Sequence, residues 1–188
     1  MKDSDRTWEA WKRFCSDDED DASYGFYILR ELSEKGIAQA QYYVGIAFEE
    51  GRAGVVETDY KEAASYYRKA AEQGHVQAQR SLGWLMYMYH LFFLGVDRDY
   101  YEAAKWTKKA AEQGERHAQR TLGLMYFAGN GVPRDETNSF YWYGKAAAQN
   151  DSPSKKILRY HYRCQHCGGE FKGVLFQKCV DCGRSKDY

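Results

Sequence analysis

The sequence predicts an all-α chain: an α/α solenoid of repeated helix pairs, ended by a small C-terminal β-hairpin module. Three observations predict it. The chain repeats itself over most of its length, with corresponding starts at Gly36, Gly74 and Gly114. Its composition favours helix, with two prolines in 188 residues and abundant Ala, Tyr, Glu and Lys. Four of its five cysteines form two Cys-x-x-Cys pairs between Cys164 and Cys182, close to the C-terminus. Hydrophobic residues make up 44% and aromatics 16%, enough for a packed core.

Residues 1–35 are read as a degenerate helix pair. DRTWEAWKRFCS supplies its first helix and DASYGFYILRELSEKG, starting at Asp21, its second. Asp21 precedes Gly36 by the same interval that separates Asp59 from Gly74, Asp99 from Gly114 and Asp135 from Asn150. Cys15 shares a helical face with Trp8 and Trp11 and is expected in the core.

Three clear repeats follow, at 36–73, 74–113 and 114–150. Their first helices begin GIAQAQYYVGIAFEEG, GHVQAQRSLGWLMY and GERHAQRTLGLMYFAG. Their second helices read DYKEAASYYRKAAEQG, DYYEAAKWTKKAAEQG and DETNSFYWYGKAAAQN. Ala63, Ala64, Ala70 and Ala71 recur as Ala103, Ala104, Ala110 and Ala111, small residues at helical spacing that let neighbouring helices approach. Tyr66, Trp106 and Trp142 hold one place and are expected to wedge between layers. Gly45, Gly83 and Gly123 lie inside the first helices, where glycine costs about 1 kcal/mol against alanine; close approach of a neighbour is the expected return. Gly74 and Gly114 suit left-handed helix stops.

The repeats resemble Sel1-like repeats, relatives of the tetratricopeptide repeats, over residues 36–150. LGLMYFAGNGVPRD followed by YWYGKAAAQ is close to the family pattern. The second copy departs from it at MYMYHLFFLGVDRD, four residues longer than the third between Gly and Asp. The resemblance implies a solenoid that holds other proteins together. Cysteine-rich secreted relatives linked to penicillin binding pair their cysteines within each repeat. The repeats here contain no cysteine, and that activity is not carried over. The Ser-x-x-Lys from Ser152 to Lys155 is read instead as a helix start, with Ser152 the cap and Pro153 the first helical residue.

Residues 151–163 are read as a capping helix or linker, with Ile157, Leu158, Tyr160 and Tyr162 covering the last repeat. Residues 164–188 resemble a zinc ribbon. Cys164 with Cys167, and Cys179 with Cys182, stand at turn spacing for a tetrahedral four-thiolate site, and GGEFKGVLFQK between them suits a short hairpin. The expected metal is structural Zn2+, with iron in a rubredoxin-like site as the alternative. A saturated site of this kind folds the tail and leaves no open position for catalysis.

No constellation of nucleophile, base or phosphate loop is present, so the chain is not expected to be an enzyme or to take a small-molecule substrate. Net charge is zero but uneven: residues 1–35 carry ten acids against six bases, and residues 155–188 eight bases against three acids. The N-terminus lacks the apolar stretch of a signal peptide, and the apolar run 82–96 is short for a membrane span. A cytoplasmic protein without membrane contact is expected. The predicted function is docking of a protein or peptide partner on the concave face lined by the first helices. Tyr42, Arg80 and Arg120 occupy equivalent positions there, and the charge of that row suits an acidic partner. Ile46, Trp84 and Leu124 form a second row, from which Trp84 joins the candidate site. Two alternatives stand beside this: an immunity-type inhibitor of one cognate toxin, and a nucleic-acid-linked adaptor using the bases and aromatics of the tail.

Overall fold

Nine helices make up the described part of the molecule, a computed structural model that describes residues 2–88 and 99–161. They are α1 (Asp3–Phe14), α2 (Glu19–Glu34), α3 (Ala38–Glu50), α4 (Tyr60–Glu72), α5 (Val76–Met88), α6 (Tyr100–Glu112), α7 (Arg116–Ala128), α8 (Glu136–Ala148) and α9 (Ser152–His161). Among the described residues the only strand-like pairing is an isolated bridge between Arg52 and Val56. None of these helices is long and apolar enough to cross a membrane.

Each helix packs on the next along the chain, α1 on α2 through to α8 on α9, and first helices also touch across pairs at α1–α3 and α5–α7. This is an α/α solenoid. Its starts are set by local chemistry. The carboxylates of Asp59, Asp99 and Asp135 accept from the amides of Glu62, Glu102 and Asn138 at 2.9–3.0 Å, filling donors that a helix cannot satisfy internally. The stops repeat as well. Gly74 and Gly114 take φ of 87° and 90°, and Asn150 takes 65° at the same place. The following amides, of His75, Glu115 and Asp151, then return to Ala70, Ala110 and Ala146.

The core runs through the helix pairs. Tyr67, Leu82, Leu85, Trp106, Leu122, Met125 and Trp142 are buried in one cluster with the recurring alanines other than Ala64, which is half-buried against it, and Ala10, Phe14, Leu29, Val44 and Ala47 form another around the first pair. The first-helix glycines sit where second helices press closest. A Cβ on Gly45 would stand 2.6 Å from the Tyr67 ring, and on Gly123 3.0 Å from the Tyr143 ring. At Gly83 it would collide with Thr107 and stand 3.1 Å from the Ala103 carbonyl.

Three expectations are corrected. The second helix of the first pair starts at Glu19 under the cap of Asp18, whose carboxylate accepts from the Asp21 amide at 2.8 Å; Asp21 lies within it. The acidic run from Asp17 to Asp21 offers several capping residues, and the one used stands immediately before the first helical residue. Asp151, not Ser152, caps α9, accepting from the Ser154 amide at 3.0 Å and its hydroxyl at 2.7 Å. Cys15 is exposed, at the C-terminal end of α1, because that helix stops just short of it and Phe14 takes the buried place. Of the residues expected to cover the last repeat, Ile157 and Leu158 are half-buried and Tyr160 is exposed. Tyr162 and the four-cysteine tail at 164–188 lie outside the described residues.

Candidate functional site

Each repeat joins its two helices through a pair of glutamines. Gln41, Gln79 and Gln119 are buried on the first helices. Their side-chain amides donate 3.1–3.2 Å to the carbonyls of Ser33, Ala71 and Ala111, at the end of the preceding helix. Their oxygens accept at 2.7–2.8 Å from the amides of Gln73, Gln113 and Gln149. The ladder gives these helix-end carbonyls a second donor beside the amides of Gly36, Gly74 and Gly114. It also ties each first helix to the helices on either side of it in the chain.

What turns outward is a groove of about 460 Å³ across α3, α5 and α7. α3 contributes Tyr42, Ile46, Glu49 and Glu50; α5 contributes Arg80, Ser81 and Trp84; α7 contributes His117, Arg120 and Thr121. Tyr67 reaches in from α4. The four residues singled out from sequence, Tyr42, Arg80, Arg120 and Trp84, thus line a common depression. Leu124 is exposed but does not line it. A second depression, about 640 Å³, is lined by the end of α3 at Glu50 and the loop 51–58 that follows it.

The groove is electrically divided. Glu49 and Glu50 stand on α3; Arg80, His117 and Arg120 stand on α5 and α7. Tyr67 donates its hydroxyl to Glu49. Burial first, and then the Glu49 carboxylate, hold the Tyr67 phenol far above its ordinary range, so it stays protonated and keeps donating. Trp84 is 41% exposed, a large apolar surface open to solvent.

The residues of the Tyr-Arg-Arg row differ in their neighbours. Tyr42 stacks on His75, ring centroids 4.8 Å apart. Burial lowers the His75 pKa below its ordinary value, which keeps the ring neutral near pH 7. Arg120 pairs with Asp151 at 2.8 Å. Burial is the largest influence on Asp151 and opposes its charge, but Ser154, Arg120 and His117 together outweigh it, so the carboxyl titrates below its usual range. Among the described residues Arg80 has a single 3.4 Å contact, to the Ser81 hydroxyl, and its Nε is buried with no hydrogen-bond partner.

Sequence reasoning missed Tyr67, Glu49 and His117, and it missed the glutamine ladder. The ladder had a signal, since Gln recurs at 41, 79 and 119 and at 73, 113 and 149. Tyr67 had one too: Tyr67, Thr107 and Tyr143 stand at one fixed interval after the capping aspartates Asp59, Asp99 and Asp135. The cysteines Cys164, Cys167, Cys179 and Cys182 lie outside the described residues.

Comparison with known proteins follows the same repeats. The Sel1 repeat family model matches residues 38–75, 76–115 and 116–151. A protective antigen of uropathogenic Escherichia coli with an SLR fold is similar at 33% identity and a TM-score of 0.76, over 86% of this chain and 33% of that one. A Sel1 repeat protein from Oxalobacter formigenes is similar at 32% identity and a TM-score of 0.68, over 76% of this chain and 56% of that one. The chain therefore spans about a third and about half of these two relatives. The Helicobacter pylori cysteine-rich protein B shares the fold, with a TM-score of 0.53 at 20% identity over 69% of this chain and 94% of that one. No curated protein is similar to the chain in sequence.

Proposed function

The chain belongs to the Sel1 repeat family, and on that premise we propose that it is a non-enzymatic adaptor holding a segment of a protein partner in the groove between α3, α5 and α7. Sel1 repeat proteins are protein-interaction scaffolds. The observation that carries the reading is Arg80, a groove cation with a buried, unpartnered N–H among the described residues, one turn from the exposed face of Trp84. Aromatic and arginine side chains in a concave site are the residue types that dominate protein interfaces. Tyr42, Arg80 and Trp84 are the residues assigned to direct contact with the partner, and Arg120 lines the same groove while paired with Asp151.

The test is photo-crosslinking. A photoreactive phenylalanine analogue replaces Trp84 in the full chain, with the same analogue at Tyr141, exposed on α8, as control. Adducts to one or a few proteins at position 84, lost on Arg80→Glu, support the reading. One stoichiometric toxin would make the adaptor an inhibitor. Adducts destroyed by nuclease would move the function to the basic tail. The same adducts at both positions would overturn the groove as the docking site.

We propose in addition that Cys164, Cys167, Cys179 and Cys182 bind one structural Zn2+. Two thiolate pairs at this spacing saturate a tetrahedral ion and supply folding energy to a segment too short for its own core. This reading places the protein in a reducing compartment such as the cytoplasm, where thiolates stay free to bind metal. Metal analysis of the purified full chain should find about one zinc per chain, lost in Cys179→Ser. Iron in that stoichiometry would replace zinc by a rubredoxin-like site, and metal-free wild type would overturn the proposal.

A further inference from the structure

Arg80, Arg120 and Tyr42 occupy one repeat position, and the residue just after the following helix stop is in turn Glu115, Asp151 and His75. The third repeat closes this pair internally. Arg120 meets Asp151 at 2.8 Å, and the Asp151 side chain is 3% exposed. The first repeat closes it with aromatic stacking, Tyr42 on His75. The second repeat leaves it open. Glu115 is engaged elsewhere, accepting from the Ala118 amide at 2.5 Å and contacting Nδ1 of His117 at 3.0 Å. Among the described residues no carboxylate lies within ion-pair distance of Arg80, and its Nε has no acceptor. A buried guanidinium N–H without an acceptor is a group that native proteins seldom leave unmet.

The far side of the groove is open in the opposite sense. Glu49 accepts the neutral hydroxyl of Tyr67, and among the described residues neither Glu49 nor Glu50 has a cation within ion-pair distance. The same groove is lined by Ile46, one turn before Glu49 and Glu50 on α3, and by the exposed ring of Trp84, one turn after Arg80 on α5.

We infer that the groove reads a peptide by charge in register: one carboxylate of the bound segment seats on Arg80, one basic side chain of the same segment seats against Glu49 and Glu50, and apolar side chains between them cover Ile46 and Trp84. The inference rests on the docking reading above and goes beyond it by naming the occupant. Charge complementarity selects that occupant. A nucleic-acid strand or a wholly acidic peptide would set like charge against Glu49 and Glu50, and a wholly basic peptide would set it against Arg80. The planar guanidinium fork suits a carboxylate, which it can grip through two N–H groups at once. Arg120 is a positioning residue in this arrangement: its charge is spent on Asp151, which holds the start of α9 to α7.

The test uses the full chain and a display library of random dodecapeptides carrying no free C-terminal carboxylate. Enriched peptides should share an acidic and a basic residue at a constant interval, with aliphatic or aromatic residues between. Measured with one such peptide, Arg80→Ala should weaken binding about tenfold or more. Replacing the peptide's acid by its amide should cost the same, and making both changes should cost little more than either. Arg80→Lys should recover only part of the loss. Glu49→Gln with Glu50→Gln should remove the preference for a basic residue. The peptide-side change reads the same contact without altering the protein, so it stands even where Arg80→Ala misfolds. Peptides whose binding is lost in Trp84→Ala but is indifferent to Arg80 and to the peptide's acid would overturn this inference and leave the docking groove intact. Failure to enrich any peptide, or binding indifferent to Trp84→Ala, would overturn the docking reading and the inference with it.

Discussion

Replacing Gln79 with methionine should weaken the joint between the first and second clear repeats without altering side-chain volume much. Gln79 is 3% exposed. Its amide donates to Ala71 at 3.1 Å and its oxygen accepts from Gln113 at 2.7 Å. A typical hydrogen bond contributes about 1 kcal/mol net, and a buried group left unpaired costs about 1–3 kcal/mol. The orphaning here is partial. The Ala71 carbonyl still accepts from the Gly74 amide at 3.0 Å, and the Gln113 amide keeps a 3.4 Å contact to Lys109. Loss of both bonds with partial orphaning therefore comes to about 2 kcal/mol. Because stability in a solenoid is carried by contacts between neighbours, the loss should also broaden the unfolding transition or split it. Urea unfolding followed by far-UV circular dichroism measures both, against Gln77→Met on the exposed face of the same helix. A loss below about 0.5 kcal/mol, or one no larger than the Gln77→Met control, would refute the claim that the glutamine ladder holds the repeats together.

Gly45→Ala should lose about 1–3 kcal/mol, since its Cβ would press on the Tyr67 ring, whereas Gly144→Ala in α8, where nothing lies within 4 Å, should gain about 0.5–1 kcal/mol; melting temperatures of the two variants check the contrast. Thr107→Val removes a buried hydroxyl that has no partner among the described residues, and should leave urea stability unchanged or raise it by about 1 kcal/mol. Asp151 has a folded pKa below its ordinary value despite the opposing effect of burial. Its contribution is therefore present above the unfolded value of about 3.9 and is lost as pH falls through the folded value. Asp151→Asn should accordingly be less stable than wild type at pH 7 and show a smaller further loss below about pH 4, read from unfolding curves across pH.

Much of the fold was legible because its signals are local. An aspartate at a constant interval from a glycine or asparagine marks where a helix starts and where the next turn must go left-handed, and both ends can be read from one short stretch of chain. Glycine inside a first helix was legible as close packing for the same reason, since only proximity justifies its cost there. The first pair was less legible. Its acidic run supplied several capping candidates, and spacing pointed to Asp21 where the chain uses Asp18. Cys15 was misplaced because a helical face was extended one residue past the helix end.

The candidate site divides in the same way. Its row of Tyr42, Arg80 and Arg120 followed from repeat arithmetic, but the state of each member did not. Arg120 and Asp151 are 31 residues apart, and Tyr67 and Glu49 are 18 apart. Such pairs form only after helices have stacked, so nothing near Arg120 in the chain marks it as neutralised and nothing near Arg80 marks it as open. Periodicity and capping chemistry by themselves determined that this protein is a row of helix pairs, because those terms act between neighbours in sequence. Which cation of the groove stays available, and that acids of α3 and bases of α5 and α7 line one groove, was decided only by the tertiary structure, because a side chain's electrostatic partner is set by distance in space.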